Sequence, residues 1–227
     1  MSIKLNSSIV LVVAAHPDDE VFGCGGTIAK HIALGDKVHV VFMTNGVGSR
    51  NASFKEAQER RKASQDVANI LGISSTQQFE FPDNKMDTIA LLDVVQSIEK
   101  VIDKLQPKII YTHHAGDLNI DHQLTHKAVM TACRPQPGFC VKEIYAFEVL
   151  SSTEWQTPGY IPFLINKYVD ITNYIDLKKR AIRFYHNEIR PAPHTRSSKN
   201  IIRLNALRGN FIGVEYSEAF FTVRNIS

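Results

Sequence analysis

Short apolar runs alternate along this chain with segments of helical period, and glycine or proline stands at most of the joints. That alternation predicts an α/β fold, a single Rossmann-like domain over residues 1–227 with a mostly parallel sheet covered by helices on both faces. A third observation agrees with it. Two strongly apolar runs, 9–14 and 108–112, each lead into a loop rich in His and Asp, as strand ends that form one site do.

The first strand, 8–15, is apolar almost throughout, and a helix over about 25–34 follows it and stops at Gly35. Strand 37–44 alternates and then turns apolar. Beyond a loop at 45–53, a charged helix covers 54–71 and ends at Gly72. A short strand at 78–81 stops at Pro82. Ile89, Leu92, Val95, Ile98, Ile102 and Leu105 keep helical spacing within 87–105, and Pro107 closes that helix. Strand 108–112, helix 122–133 (closed by Arg134 and Pro135) and strand 143–149 continue the pattern. The last third is less regular. It has a Pro- and aromatic-rich loop at 155–162, a strand near 168–171, helices at about 173–187 and 197–208, and a final strand at 215–223. It reads as a wall of the same domain, since no linker or low-complexity tract separates it.

With 227 residues, 44% hydrophobic and 22% charged, the chain can bury a sizeable core. A net charge of +3 is too small to signal nucleic-acid binding. No apolar run approaches the ~20 residues of a membrane span. No signal-peptide hydrophobic region precedes the first strand. Cys24, Cys133 and Cys140 are odd in number and unpatterned, which argues against a disulfide framework and for the cytoplasm. Monomer and homo-oligomer stay open. Nine Lys and Arg residues between 178 and 208 face only Glu188, either as a solvated helix face or as cations that meet a phosphate.

The chemistry concentrates in Ala15-His16-Pro17-Asp18-Asp19-Glu20. One imidazole and three carboxylates at the end of a buried strand are costly unless a cation holds them. His16 and Asp19 suit a divalent metal, with Asp18 beside them as an unliganded base. The 113–122 loop offers His122 as third ligand, and His126, one helical turn on, is the alternative. Asp121 can orient a ligand or tune a proton relay. Arg50 and Asp83 belong to loops at the same sheet edge, where they could reach a substrate. Gly23-Cys24-Gly25-Gly26 lacks the spacing of a dinucleotide loop and reads as a tight turn entering a helix.

His16-Pro17-Asp18-Asp19-Glu20 together with Asn119-Ile120-Asp121-His122 resembles the zinc-dependent N-acetylglucosaminyl deacetylases of the PIG-L/LmbE type. Gly25-Gly26-Thr27-Ile28-Ala29, Thr44-Asn45-Gly46, Pro193-His194-Thr195-Arg196-Ser197 and Glu215-Tyr216-Ser217-Glu218-Ala219-Phe220 extend the likeness over most of the chain. The resemblance implies Zn2+, or another divalent transition metal, on His16, Asp19 and His122, favouring His122 over His126. It implies Asp18 as general base and the removal of acetyl from an N-acetylated amino sugar conjugate. Asp121 and His194 join the catalytic set, and Arg50, Asp83, Asn119, His194 and Arg196 the substrate-binding set. Two positions depart from the family. Asn119 stands where many members have His, which leaves oxyanion stabilisation to Asn119 itself or to His194. Ala63 stands where a Glu often follows Arg60, which puts one ion pair in doubt. The basic last third and the Asn119 variant lean towards a phosphorylated or nucleotide-linked sugar. The rival reading is a non-catalytic sugar- or nucleotide-binding module on the same fold.

Overall fold

The computed structural model describes residues 7–48 and 54–226, and Arg50 lies outside them. Seven strands form one sheet: β1 Ile9–Ala14, β2 Lys37–Thr44, β3 Ser75–Phe81, β4 Ile109–His113, β5 Glu143–Phe147, β6 Lys167–Asp170 and β7 Ser217–Asn225. Their order is β3-β2-β1-β4-β5-β7-β6. The first five run parallel, and β7 is antiparallel to both neighbours, β5 and β6. Among the described residues, six helices cover it: α1 Asp19–Ala33, α2 Phe54–Leu71, α3 Leu91–Leu105, α4 Ile120–Ala132, α5 Ile175–Phe184 and α6 Ser198–Asn210.

The strands alternate between two cores, as the pleat requires. Val10, Val12, Ala14, Val38, Val40 and Phe42 pack towards α1, α2, α5 and α6. Leu11, Val13, Val41 and Met43 pack towards α3 and α4. A sheet buried on both faces explains why 9–14 is apolar at every position rather than at every second one. Among the described residues, no helix is long and apolar enough to cross a membrane.

Boundaries differ where tertiary contacts outweigh local pattern. β3 begins at Ser75, earlier than its apolar residues suggest, because it pairs along β2 as an edge strand. α3 starts at Leu91 rather than 87; a short 3-10 turn, Met86–Thr88, occupies the expected first turn. α1 begins at Asp19 and breaks at Cys24 (φ −145°), so the glycine run is a kink inside a helix rather than the entry to one. The second half restarts with the backbone N–H groups of Gly26 and Thr27 donating to the Glu218 carboxylate, at 2.9 and 2.7 Å. Lys178, fully buried, donates to Glu218 at 2.6 Å and to the Phe22 carbonyl at 3.0 Å. A side chain at Gly26 would meet Ile171 at 2.7 Å, so only glycine lets β6's end lie against the kink.

β1 lies between β2 and β4, where the chain's path across the sheet reverses direction. Ligands gather outside the carboxyl ends of strands at such a switch point. The loops after β1, β2, β3 and β4 all open there.

Candidate active site

His16 leaves the end of β1, Asp19 opens α1, and His122 stands in the first turn of α4. His16 Nδ1 is 3.1 Å from Asp19 Oδ2, His122 Nε2 is 3.2 Å from His16 Nδ1, and His122 Nε2 is 3.3 Å from Asp19 Oδ2. The far side of each ring is already engaged. His16 Nε2 lies 3.2 Å from both Asp121 Oδ2 and Asp83 Oδ1, and His122 Nδ1 lies 3.1 Å from Asp117 Oδ1. Carboxylates there fix each imidazole with its N–H pointing outward from the triad. With both rings neutral, as a bound cation requires, three acceptor lone pairs converge on one point. A tetrahedral ion with bonds of about 2.0–2.1 Å separates its donors by about 3.3–3.4 Å, close to the three distances seen.

Charge leads to the same conclusion. Asp18, Asp19, Asp83, Asp117 and Asp121 are all at most 5% exposed, and among the described residues the guanidiniums of Arg60 and Arg196 touch this group. Buried carboxylates of one sign repel strongly at low dielectric, and a divalent cation offsets them. The donor set therefore fits a divalent metal. His16 with Asp83 and Asp121 makes a second convergent group through the opposite ring nitrogen. We assign that group to orientation, because Asp121 is tied by the backbone N–H groups of Asn84 (2.6 Å) and Met86 (3.1 Å) and holds His16 from behind.

Asp18 is not in the triad. Its backbone has φ 131°, a costly conformation for a non-glycine residue. Its N–H donates to Glu20 Oε2 at 2.9 Å, and its carbonyl accepts from Val21 and Phe22. The carboxylate lies 3.1 Å from Arg60 Nη2 and 3.7 Å from Arg196 Nη1. Burial raises its pKa to about 6 against the lowering effect of Arg60, which keeps it ionised near neutrality yet able to hold a proton. Arg60 also meets Glu188 Oε1 at 2.5 Å. Glu188, from a 3-10 turn after α5, thus supplies an acidic partner to Arg60 without one at Ala63. Burial also lifts Glu20 to about 8, where it accepts the Tyr185 hydroxyl at 2.6 Å.

The remaining sequence candidates spread around this centre. Asn119 caps α4, its Oδ1 accepting from Asp121 N at 2.8 Å and its Nδ2 donating to Asn84 Oδ1 at 2.9 Å. His194 Nδ1 accepts from Arg196 N at 3.0 Å, and its ring meets Trp155. His126 contacts the His113 carbonyl at 2.8 Å and stands outside both convergent groups. His113 stacks on His122, ring centroids 3.9 Å apart, and accepts from Ala15 N at 2.8 Å. Of the nine Lys and Arg residues between 178 and 208, Lys178 is committed to Glu218 and Arg208 to Glu148 (2.8 Å). Arg196 is the one that reaches Asp18.

Four contributors escape the sequence reading. Asp117 accepts from Ser152 Oγ, Thr153 Oγ1 (2.6 Å) and Asn119 N (2.9 Å) while it holds His122. Arg60, Glu188 and Ser152 complete the surroundings. Asp117 carried a signal, since it lies within the His- and Asp-rich run. Arg60 was marked only through the family likeness beside Ala63, with no partner or role at the site attached to it.

Comparison with known proteins bears on the family and the fold. Residues 11–133 match the PIG-L family model, described as GlcNAc-PI de-N-acetylase. An uncharacterized deacetylase of Escherichia coli K12, YaiS, is 31% identical over 133 residues, covering 56% of this chain and 69% of that one. A 4-oxalmesaconate hydratase of Pseudomonas putida KT2440 is 30% identical over 192 residues, covering 76% of this chain and 71% of the hydratase. Among solved structures, N,N'-diacetylchitobiose deacetylase from Pyrococcus horikoshii superposes with a TM-score of 0.77 at 23% identity, covering 96% of this chain and 85% of that one. A family match over more than half the chain, containing all three convergent residues, means that this protein belongs to the PIG-L family.

Proposed function

We propose that the protein is a metal-dependent amidohydrolase that removes acetyl from an N-acetylated amino sugar conjugate. The observation that carries this reading is the pairing of three convergent acceptors with a separate buried carboxylate, Asp18, which contacts no ligand atom of the triad. A binding module has no use for such a base. When bound to His16, Asp19 and His122, zinc or a similar ion supplies Lewis acidity to a water molecule and to the acetyl carbonyl. Asp18 takes one proton from the attacking water as its oxygen bonds to the carbonyl carbon. Asp18 then delivers that proton to the amide nitrogen as the C–N bond breaks. Water and amide become acetic acid and a free amine, and the acid then gives up water's second proton to leave acetate.

His194 is our candidate donor to the developing oxyanion, because its Nδ1 accepts from Arg196 and its Nε2 therefore carries the hydrogen. The Asn119 amide is spent on the cap and on Asn84, so we give it a positioning role. Arg50, Asp83 and Arg196 remain substrate-side candidates, with Asp83 also steadying His16. We read the compartment as cytoplasmic from three free thiols.

The hydratase relative supports a second reading, in which the same base deprotonates water for addition to a carbon–carbon double bond. A primary-amine assay on N-acetylglucosamine and N,N'-diacetylchitobiose, with and without chelator, separates the two. Chelator-sensitive amine release is expected. Its absence from the metal-loaded protein across N-acetyl sugars, with turnover of an unsaturated dicarboxylate, would overturn the deacetylase reading.

A further inference from the structure

Trp155 is the one tryptophan of the chain, and it is 51% exposed. A single exposed apolar residue is ordinary by itself. Here the residue is held from both sides. It ends a 3-10 turn, Thr153–Trp155, whose Thr153 hydroxyl donates to Asp117 Oδ2 at 2.6 Å. The next residue, Gln156, donates to the Asp117 carbonyl at 3.2 Å. Asp117 is the group that holds His122. On its other side the indole meets His194 edge-on, ring centroids 5.4 Å apart at 70°. His194 is tied to Arg196, whose guanidinium lies 3.7 Å from Asp18.

The indole is therefore fixed relative to the metal side and the base side alike. Asp117 and His122 separate it from the triad on one side, and His194 and Arg196 separate it from Asp18 on the other. A rigid aromatic surface with little rotamer entropy left to lose suits the apolar C–H face of a pyranose. Resting on the deacetylase reading, we propose that the exposed face of Trp155 is a subsite for a second, glycosidically linked sugar ring.

The same indole reports on its own occupancy by fluorescence. Metal-loaded Asp18→Asn protein, which cannot consume substrate, is titrated with N,N'-diacetylchitobiose and with N-acetylglucosamine. The expected result is a saturable emission change with the disaccharide at a Kd about tenfold below that for the monosaccharide. In the active enzyme, Trp155→Ala should raise KM about tenfold for the disaccharide and little for N-acetylglucosamine, with Trp155→Phe intermediate. Unchanged emission, while the wild type releases acetate from the disaccharide, overturns the subsite and leaves the chemistry standing. A disaccharide-specific emission change without acetate release keeps the subsite and overturns the deacetylase reading. Neither signal overturns both. Emission that follows protein concentration and not sugar would place Trp155 between copies of the chain and also overturn the proposal.

Discussion

Asp117 offers a graded test of the metal centre. Its Oδ1 lies 3.1 Å from His122 Nδ1, and its other contacts are Asn119 N, Ser152 and Thr153. Asp117→Asn keeps a neutral acceptor for His122, because the amide nitrogen can face the Thr153 hydroxyl, which is free to rotate. What is lost is the charge. A hydrogen bond to a charged group contributes about 1.5–3 kcal/mol and a neutral one about 0.5–1.5, so the loss is about 1–1.5 kcal/mol, or roughly tenfold in metal affinity. Asp117→Ala removes the acceptor and frees the ring to rotate or change tautomer. That should cost about a hundredfold, the upper range for groups behind a metal-bound histidine. Competition with a chromophoric chelator measures both, and circular dichroism of the metal-free variants checks the fold. Wild-type affinity in both variants would mean that His122 does not bind metal through Nε2, and the triad would have to be abandoned.

Asp18→Asn should lower kcat by about 10²–10⁴-fold with metal content unchanged; emptied metal would make Asp18 a ligand instead. The acid limb of wild-type activity should lie at pH about 6 or below, because a cation beside Asp18 can only lower the value that burial raises to about 6. Burial alone would lower the pKa of His122, but the carboxylates of Asp117 and Asp19 outweigh it and push it up to about 9 in the metal-free protein. Since that lies above the ordinary 6.5, the stability it lends is full below pH 6.5 and disappears as pH rises through about 9. The Tm of metal-free protein should fall across that window, and zinc uptake at pH 7 should release protons, read by calorimetry in two buffers; uptake without proton release would count against it. Arg196→Ala should raise KM more for a phosphorylated sugar than for its dephosphorylated analogue, and equal effects would confine Arg196 to holding Asp18. Lys178→Met should cost about 3–5 kcal/mol in urea unfolding, because it strands a buried carboxylate, and adding Glu218→Gln should recover part of it.

The parallel half of the sheet was legible because each strand is buried on both faces and reads as an apolar run. The convergence of His16, Asp19 and His122 was legible for a related reason. Histidine and aspartate at the ends of such strands have no apolar role to confuse them with. What stayed hidden was partnership. The family likeness marked Arg60 as a position, but its partner, Glu188, 128 positions away, becomes visible only in the fold. The block of basic residues after 177 looked like one feature, yet Lys178, Arg196 and Arg208 serve three different carboxylates. The glycine run suggested a helix entrance because only tertiary contact, the Glu218 carboxylate on two backbone N–H groups, shows that the helix restarts there.

That same carboxylate sets an order of events during synthesis. The half of α1 that bears Asp19 leaves the ribosome early, but the break that aims it is held by a residue translated 192 positions after Gly26. A nascent chain carrying both metal motifs but lacking β7 has Lys178 and the kink without their common anchor. A loop closed over so many residues forms late and slowly. The first motif is thus among the last parts of this domain to set, and it takes its final shape only once β7 has been made.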